Sequence, residues 1–192
     1  MSERTEQTNR TLADWVSDIV TVESHIEEAL DRQLELKPGS QATKDMIQKF
    51  HDSVRDSKHR AVEFEKSFGE GSGNRVIEKG GELLGKAAGL VDKVRKDSVT
   101  KALRDDYVAF NLAAVSYTLL HITAHALADE KTMAFAEQGL ITYADLVQDV
   151  NRIIPQATID DLIANKDVQV VDSNVEEHCR QMIDRAWKRT SN

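Results

Sequence analysis

Hydrophobic residues return along this chain at steps of three and four, the spacing of one face of an α-helix. Over residues 9–36 the stripe is Leu12, Val16, Ile19, Ile26, Leu30 and Leu34. Lys37, Pro38 and Gly39 end it, since proline cannot continue the hydrogen-bond ladder and glycine suits the turn. Over 43–68 the stripe is Ile47, Phe50, Val54, Ser57, Ala61, Phe64 and Phe68, closed by Gly69, Gly71, Ser72 and Gly73. A third helix is predicted over 99–128. A fourth follows over 130–154, with Met133, Ala136, Leu140, Tyr143, Val147, Val150 and Ile154 as its seam and Pro155 as its stop. A short helix over 159–164, a linker containing DVQVVDS and a terminal helix over 174–188 complete the pattern.

Residues 75–97, between the second and third helices, read differently. Ile77, Leu84, Leu90, Val91 and Val94 are amphipathic, but Gly80, Gly81, Gly85 and Gly89 interrupt them, each costing about 1 kcal/mol against alanine inside a helix. Gly81, Gly85 and Gly89 stand four apart and share a face that lets another backbone approach. A docking face or a membrane-surface helix is one reading. A crossover helix packed on its own bundle is preferred, because Lys79, Glu82, Lys86, Asp92 and Lys93 leave no purely apolar face to insert. Two long helices, a long crossover and two more long helices predict an all-α fold in which the second and third helices run parallel. The expected division is a helical bundle over 9–154, with the crossover at 69–98, and a C-terminal helical extension over 155–192.

Composition sharpens this picture. The chain has 192 residues, enough for one domain with a sizeable core. Aromatics are scarce and helix formers dominate, which favours helices over strands. The net charge of −8 argues against nucleic acid as a partner, because phosphate binding needs a basic face. One cysteine, Cys179, cannot form an intramolecular disulfide and fits a reducing, cytoplasmic compartment. The polar start MSERTEQTNR lacks the apolar region of a signal peptide. The uncharged run between Asp106 and Asp129 is the one candidate membrane span. Its Asn111, Ser116, Tyr117, Thr118, His121, Thr123 and His125 argue against that, since polar groups are costly in hydrocarbon.

Some polar residues fall where apolar ones belong. Glu23 sits mid-stripe between Ile19 and Ile26, so it must be paired, protonated or bound to a metal. Glu27, one turn on, lies at the stripe's margin. The third helix shows two adjacent seams: Val108, Leu112, Val115, Leu119, Ile122 and Ala126, and Tyr107, Asn111, Ala114, Thr118, His121 and His125. A helix apolar on most sides is expected to be buried on most sides. His121 and His125, one turn apart, can share a metal ion, although two satisfied histidines are the plainer reading. Asp56 and His59 match the acid-x-x-His spacing of bundle metal sites, but His59 falls opposite the apolar seam, on the solvent side with His51 near it. Glu176-Glu177-His178-Cys179 lacks the surroundings of a thiol nucleophile.

These residues carry a resemblance. From about residue 12 to residue 154 the chain resembles the YciF-type branch of the ferritin-like superfamily. Glu23 with Ala29-Leu30 is similar to its first-helix element, Asp56-Ser57 stands where the family has Glu-Thr, and Tyr117, Leu120 and Ala124 are similar to its tyrosine-led third-helix stretch. The resemblance implies a ferritin-like four-helix bundle and a di-metal site. The third-helix acidic positions are here Phe110 and Ala113, Asn111 replaces a histidine, and no inward glutamate stands near Tyr143. The expectation is therefore an eroded di-metal site in a protein that is not an enzyme. Such a protein would be stress-related and act through oligomerisation, as a homodimer, or through partner binding. The alternative is an iron- or manganese-binding oxidase or metal store with a rearranged site drawn from Glu23, Asp56, His121 and His125.

Overall fold

The computed structural model describes residues 3–69, 98–164 and 168–188. All elements among them are α-helices: α1 (Glu3–Leu34), α2 (Gln41–Lys66), α3 (Val99–Ala126), α4 (Glu130–Ala164) and α5 (Val175–Lys188). The expected crossover, with Gly81, Gly85 and Gly89, lies outside the described residues.

Three of the helix starts have a chemical cause. Ser40 caps α2 by accepting from the Thr43 amide, and Asp129 caps α4 by accepting from the Thr132 amide at 2.8 Å. Ser98 caps α3 and is itself held from a distance: Asp161 Oδ2, near the end of α4, accepts from Ser98 Oγ at 2.9 Å and from the Thr100 amide at 3.1 Å.

Pro155 does not end the fourth helix as the sequence suggests. α4 runs through it to Ala164, so the expected boundary at 155 falls inside one helix. An interior proline costs about 3 kcal/mol. Burial of Ile153, Pro155 and Ala157 and the tie from Asp161 to the head of α3 hold the segment helical regardless.

Four helices share one core. α1 lies against α2 and α3, and α4 against α2 and α3. Glu23 meets Ser57 and Tyr117, Asp31 meets His51 and Gln33 meets Asp106, so α1 is antiparallel to both α2 and α3. α2 and α3 therefore run parallel. Lys49–Asp149 (2.6 Å) and the stacked Phe64–Phe135 rings (4.1 Å) make α4 antiparallel to α2. Leu12, Val16, Ile19, Ile26 and Leu30 of α1 and Ile47, Phe50, Val54 and Ala61 of α2 are buried, as their stripes require. Burying such side chains is the main stabilising term, about 1.5–3 kcal/mol each.

The third helix departs from expectation. Its buried line is Leu103, Asp106, Phe110, Ala113, Tyr117, Leu120 and Ala124. The richer seam Val108, Leu112, Val115, Leu119 and Ile122 faces outward. Each α3 residue advances about 100° around the axis, which puts the two lines on opposite sides. α3 is also the one described helix long and apolar enough to cross a membrane.

Candidate functional site

The first-helix stripe carries Glu23 into the centre of the core, where it is 0% exposed. Ser57, at an apolar-seam position of α2, and Tyr117, on the buried line of α3, reach it from either side. Ser57 Oγ donates to Glu23 Oε1 at 2.7 Å, and the Tyr117 hydroxyl donates to the same oxygen at 2.9 Å. The two hydroxyls stand 3.3 Å apart. Tyr143 of α4 completes the set, its ring stacked on Tyr117 with centroids 5.8 Å apart. Its hydroxyl acts on the carboxyl without a bond of regular geometry, so Glu23 Oε2 and the Tyr143 hydroxyl are each buried without a regular partner.

Gly139 makes the aromatic arrangement possible. A Cβ there would stand 2.1 Å from the Tyr117 ring, so only a residue without a side chain lets Tyr117 lie flat on α4.

Burial dominates the electrostatics. It pushes the Glu23 carboxyl above its usual range, while the hydrogen bonds from Ser57 and Tyr117, the facing Tyr143 hydroxyl and the Arg60 cation pull part of the way back. Burial and the neighbouring carboxyl raise both tyrosines, so neither phenol ionises at ordinary pH.

A second buried acid lies at the other end of the α1–α3 contact. Gln33 Nε2 donates to Asp106 Oδ1 at 2.6 Å, and Gln33 Oε1 and Asp106 Oδ2 are left without partners. Burial raises Asp106 to about 7, Gln33 lowers it in part, and Asp105 adds to the rise. A protonated Asp106 donating from Oδ2 to Gln33 Oε1 would close a two-bond acid–amide ring and leave nothing unpaired. Both residues were legible in principle. Gln33 continues the Ile26–Leu30 steps, and Asp106 continues the Phe110–Ala113–Tyr117 steps.

The other candidate residues lie elsewhere. Asp56 is exposed and its nearest cation is Arg55 at 3.8 Å. His121 is half-buried on a flank of α3, and His125 is exposed. Among the described residues, no three His, Cys, Asp or Glu side chains come together as a metal would require. His51, expected near the solvent side, is buried and meets Asp31 of α1 at 2.9 Å, while His59 is exposed as its phase predicts. Glu27 pairs with Lys58 across the same helix contact. Phe110 and Ala113 are fully or almost fully buried. Cys179 and Met182 border an apolar crevice of about 380 Å³ between the end of α4 and α5, but few polar groups line it to orient a ligand.

No protein-family model, curated protein or solved structure matches this chain. What the structure defines is the class: an all-α protein with one carboxyl buried among hydroxyls.

Proposed function

We propose that this is a ferritin-like four-helix bundle whose di-metal centre has eroded to a hydrogen-bonded carboxyl cluster, and that it works without catalysis, through its surface. The observation that carries the reading is the donor set around Glu23. Ser57 and Tyr117 both donate to Oε1 and Tyr143 faces the carboxyl. Phe110 and Ala113 fill the space where further carboxylates would stand. Two adjacent divalent cations need several carboxylates to balance their charge. One carboxyl, raised towards its neutral form, does not supply that, so the residues present do not fit a di-iron or di-manganese centre. The helix order and the parallel α2 and α3 support the ferritin-like assignment. The cytoplasm as its place of action rests on the single, unbridged Cys179.

A second reading, a metal-binding oxidase or store, draws on one atom. Glu23 Oε2 is buried and free of a regular partner, as a single-oxygen ligand would be. Metal analysis of the purified, dialysed protein separates the two. The first reading expects iron, manganese and zinc well below one ion per chain. Stoichiometric metal that disappears in Glu23→Ala would overturn it.

A further inference from the structure

Among the described residues the outer face of α3 has no partner. Val108, Leu112, Val115, Leu119 and Ile122 step 4-3-4-3 along it and are between 40% and 59% exposed. Scattered exposed aliphatics are ordinary, but five in one helical line form the seam of a helix pair. Among the described residues, α1 and α2 leave no large hydrophobic side chain exposed, and α4 exposes Ile141 and, at its end, Leu162 and Ile163.

The course of the chain says what covers the stripe. Ser57 and Tyr117 bond the same oxygen of Glu23, so they stand level in the bundle. As many residues lead from Ser57 to the end of α2 at Lys66 as from Tyr117 to the end of α3 at Ala126. The two parallel helices therefore finish at the same end. The chain leaves α2 there, at Gly69, and re-enters at Ser98, at the opposite end, where α3 begins. Residues 70–97 lie outside the described residues, yet they must travel the length of α3 in the opposite sense. α3 has 28 residues and is about 42 Å long at about 1.5 Å per residue. The span 70–97 holds as many residues as α3, enough to cover that distance once as a helix.

The sequence of that span matches the stripe. Ile77, Gly81, Leu84, Ala88 and Val91 step 4-3-4-3, the same steps over the same length as the five α3 residues, and no charged residue stands in the line. Laid antiparallel with Leu84 at Val115, the line sets Ile77 against Ile122, Gly81 against Leu119, Ala88 against Leu112 and Val91 against Val108. Both small residues then meet a leucine, the fit by which large side chains of one helix enter gaps in another. Close approach also gives a reason for Gly81, which otherwise costs about 1 kcal/mol inside a helix. Residues 70–76 remain to cross over from α2, and residues 92–97 to reach the Ser98 cap.

We propose that residues 77–91 pack as an antiparallel helix on the outer face of α3, with Leu84 at Val115. The inference goes beyond the reading of the Glu23 cluster and does not rest on it, since metal bound there would leave it unchanged.

Thiol protection and cross-linking in the full chain, in a Cys179→Ala background, are the test. Val115 and Ile141 are equally exposed in the described fold, at 55% and 56%. Val115→Cys reacts with a maleimide about tenfold more slowly than Ile141→Cys, in a particle that light scattering gives the mass of one chain. The pair Leu84→Cys/Val115→Cys oxidises to an intramolecular disulfide about tenfold faster than Lys86→Cys/Val115→Cys, because position 86 lies on the far side of the turn from the line. Gly81→Phe, which collides with Leu119, restores the labelling of Val115→Cys.

Equal labelling at positions 115 and 141 overturns the proposal. So does a disulfide that forms no faster from position 84 than from position 86. Protection that comes with the mass of two chains and is lost on dilution would assign the face to a second copy. Protection that appears only with phosphatidylcholine–phosphatidylglycerol vesicles would assign it to lipid. Either result also overturns the proposal.

Discussion

Glu23 and Asp106 show what a buried acid needs in order to stay in a core. Each is bonded through one oxygen, and each is pushed by burial towards its neutral form. Their partners predict different responses to substitution. Glu23→Gln keeps the acceptor that Ser57 and Tyr117 use, and should stay within about 1 kcal/mol of the native stability. Glu23→Leu takes the carboxyl acceptor from the buried Ser57 and Tyr117 hydroxyls, a loss of about 1–3 kcal/mol for a hydroxyl left unpaired. Removing the desolvated acid offsets part of this, and urea denaturation should still rank Leu below Gln. For Asp106 the direction with pH can be worked out. Folded, it keeps its proton up to about 7; unfolded, it releases it near 3.8. Between those values the folded state binds more protons, so stability falls as pH rises and levels off above about 7. Asp106→Asn supplies a permanent donor for Gln33 Oε1. It should flatten the decline between about pH 4 and 7 and be more stable than the native protein at about pH 8, by up to a few kcal/mol at about 1.4 kcal/mol per pH interval of one. Native stability that rises across that window would refute a neutral Asp106.

Helix contacts decide the next set of outcomes. Gly139→Ala places a methyl inside the Tyr117 ring, so Tyr117 must leave its stack on α4 or α4 must move away. The expected cost is about 1–3 kcal/mol or more. The displaced tyrosine should also lose its bond to Glu23, seen as a change in near-ultraviolet circular dichroism that an outward alanine such as Ile141→Ala does not produce. α4 is also an element whose end the local sequence misplaces. Proline removes one hydrogen bond from the ladder, and burial of Ile153, Pro155 and Ala157 together with the tie from Asp161 to the head of α3 offsets that loss. Asp161→Ala should therefore fray both the end of α4 and the start of α3, raising amide exchange in both at once.

At the scale of the molecule, the four long helices carry the fold and α5 is an attachment. α5 touches the end of α4 and lays Trp187 near Tyr107, with ring centroids 6.4 Å apart. A chain ending at Ala164 should retain a cooperative melt, because the core of α1 to α4 is untouched. A non-cooperative melt would show that α5 belongs to the folding unit. The molecule also combines a net charge of −8, which favours solubility, with an uncharged, exposed stripe along α3.

Period alone determined a good deal. The steps of three and four in 9–36 and 43–68 place α1 and α2, mark their buried faces and single out Glu23, because a helix buries whatever its phase turns inward. The seam of the fourth helix and the turn at Lys37-Pro38-Gly39 follow in the same way. Tertiary structure alone decided which face of α3 goes inside. Counting large aliphatics favours Val108, Leu112, Val115, Leu119 and Ile122, yet the buried line is the one whose Phe110, Ala113 and Tyr117 complement α1 and α4 in shape and hydrogen bonding. Contacts from other helices likewise turned Ser57, Tyr117 and Tyr143 towards Glu23, joined Gln33 to Asp106 and carried α4 past Pro155. Periodicity within one helix registers how apolar a face is, whereas burial depends on what the neighbouring helices bring to meet it.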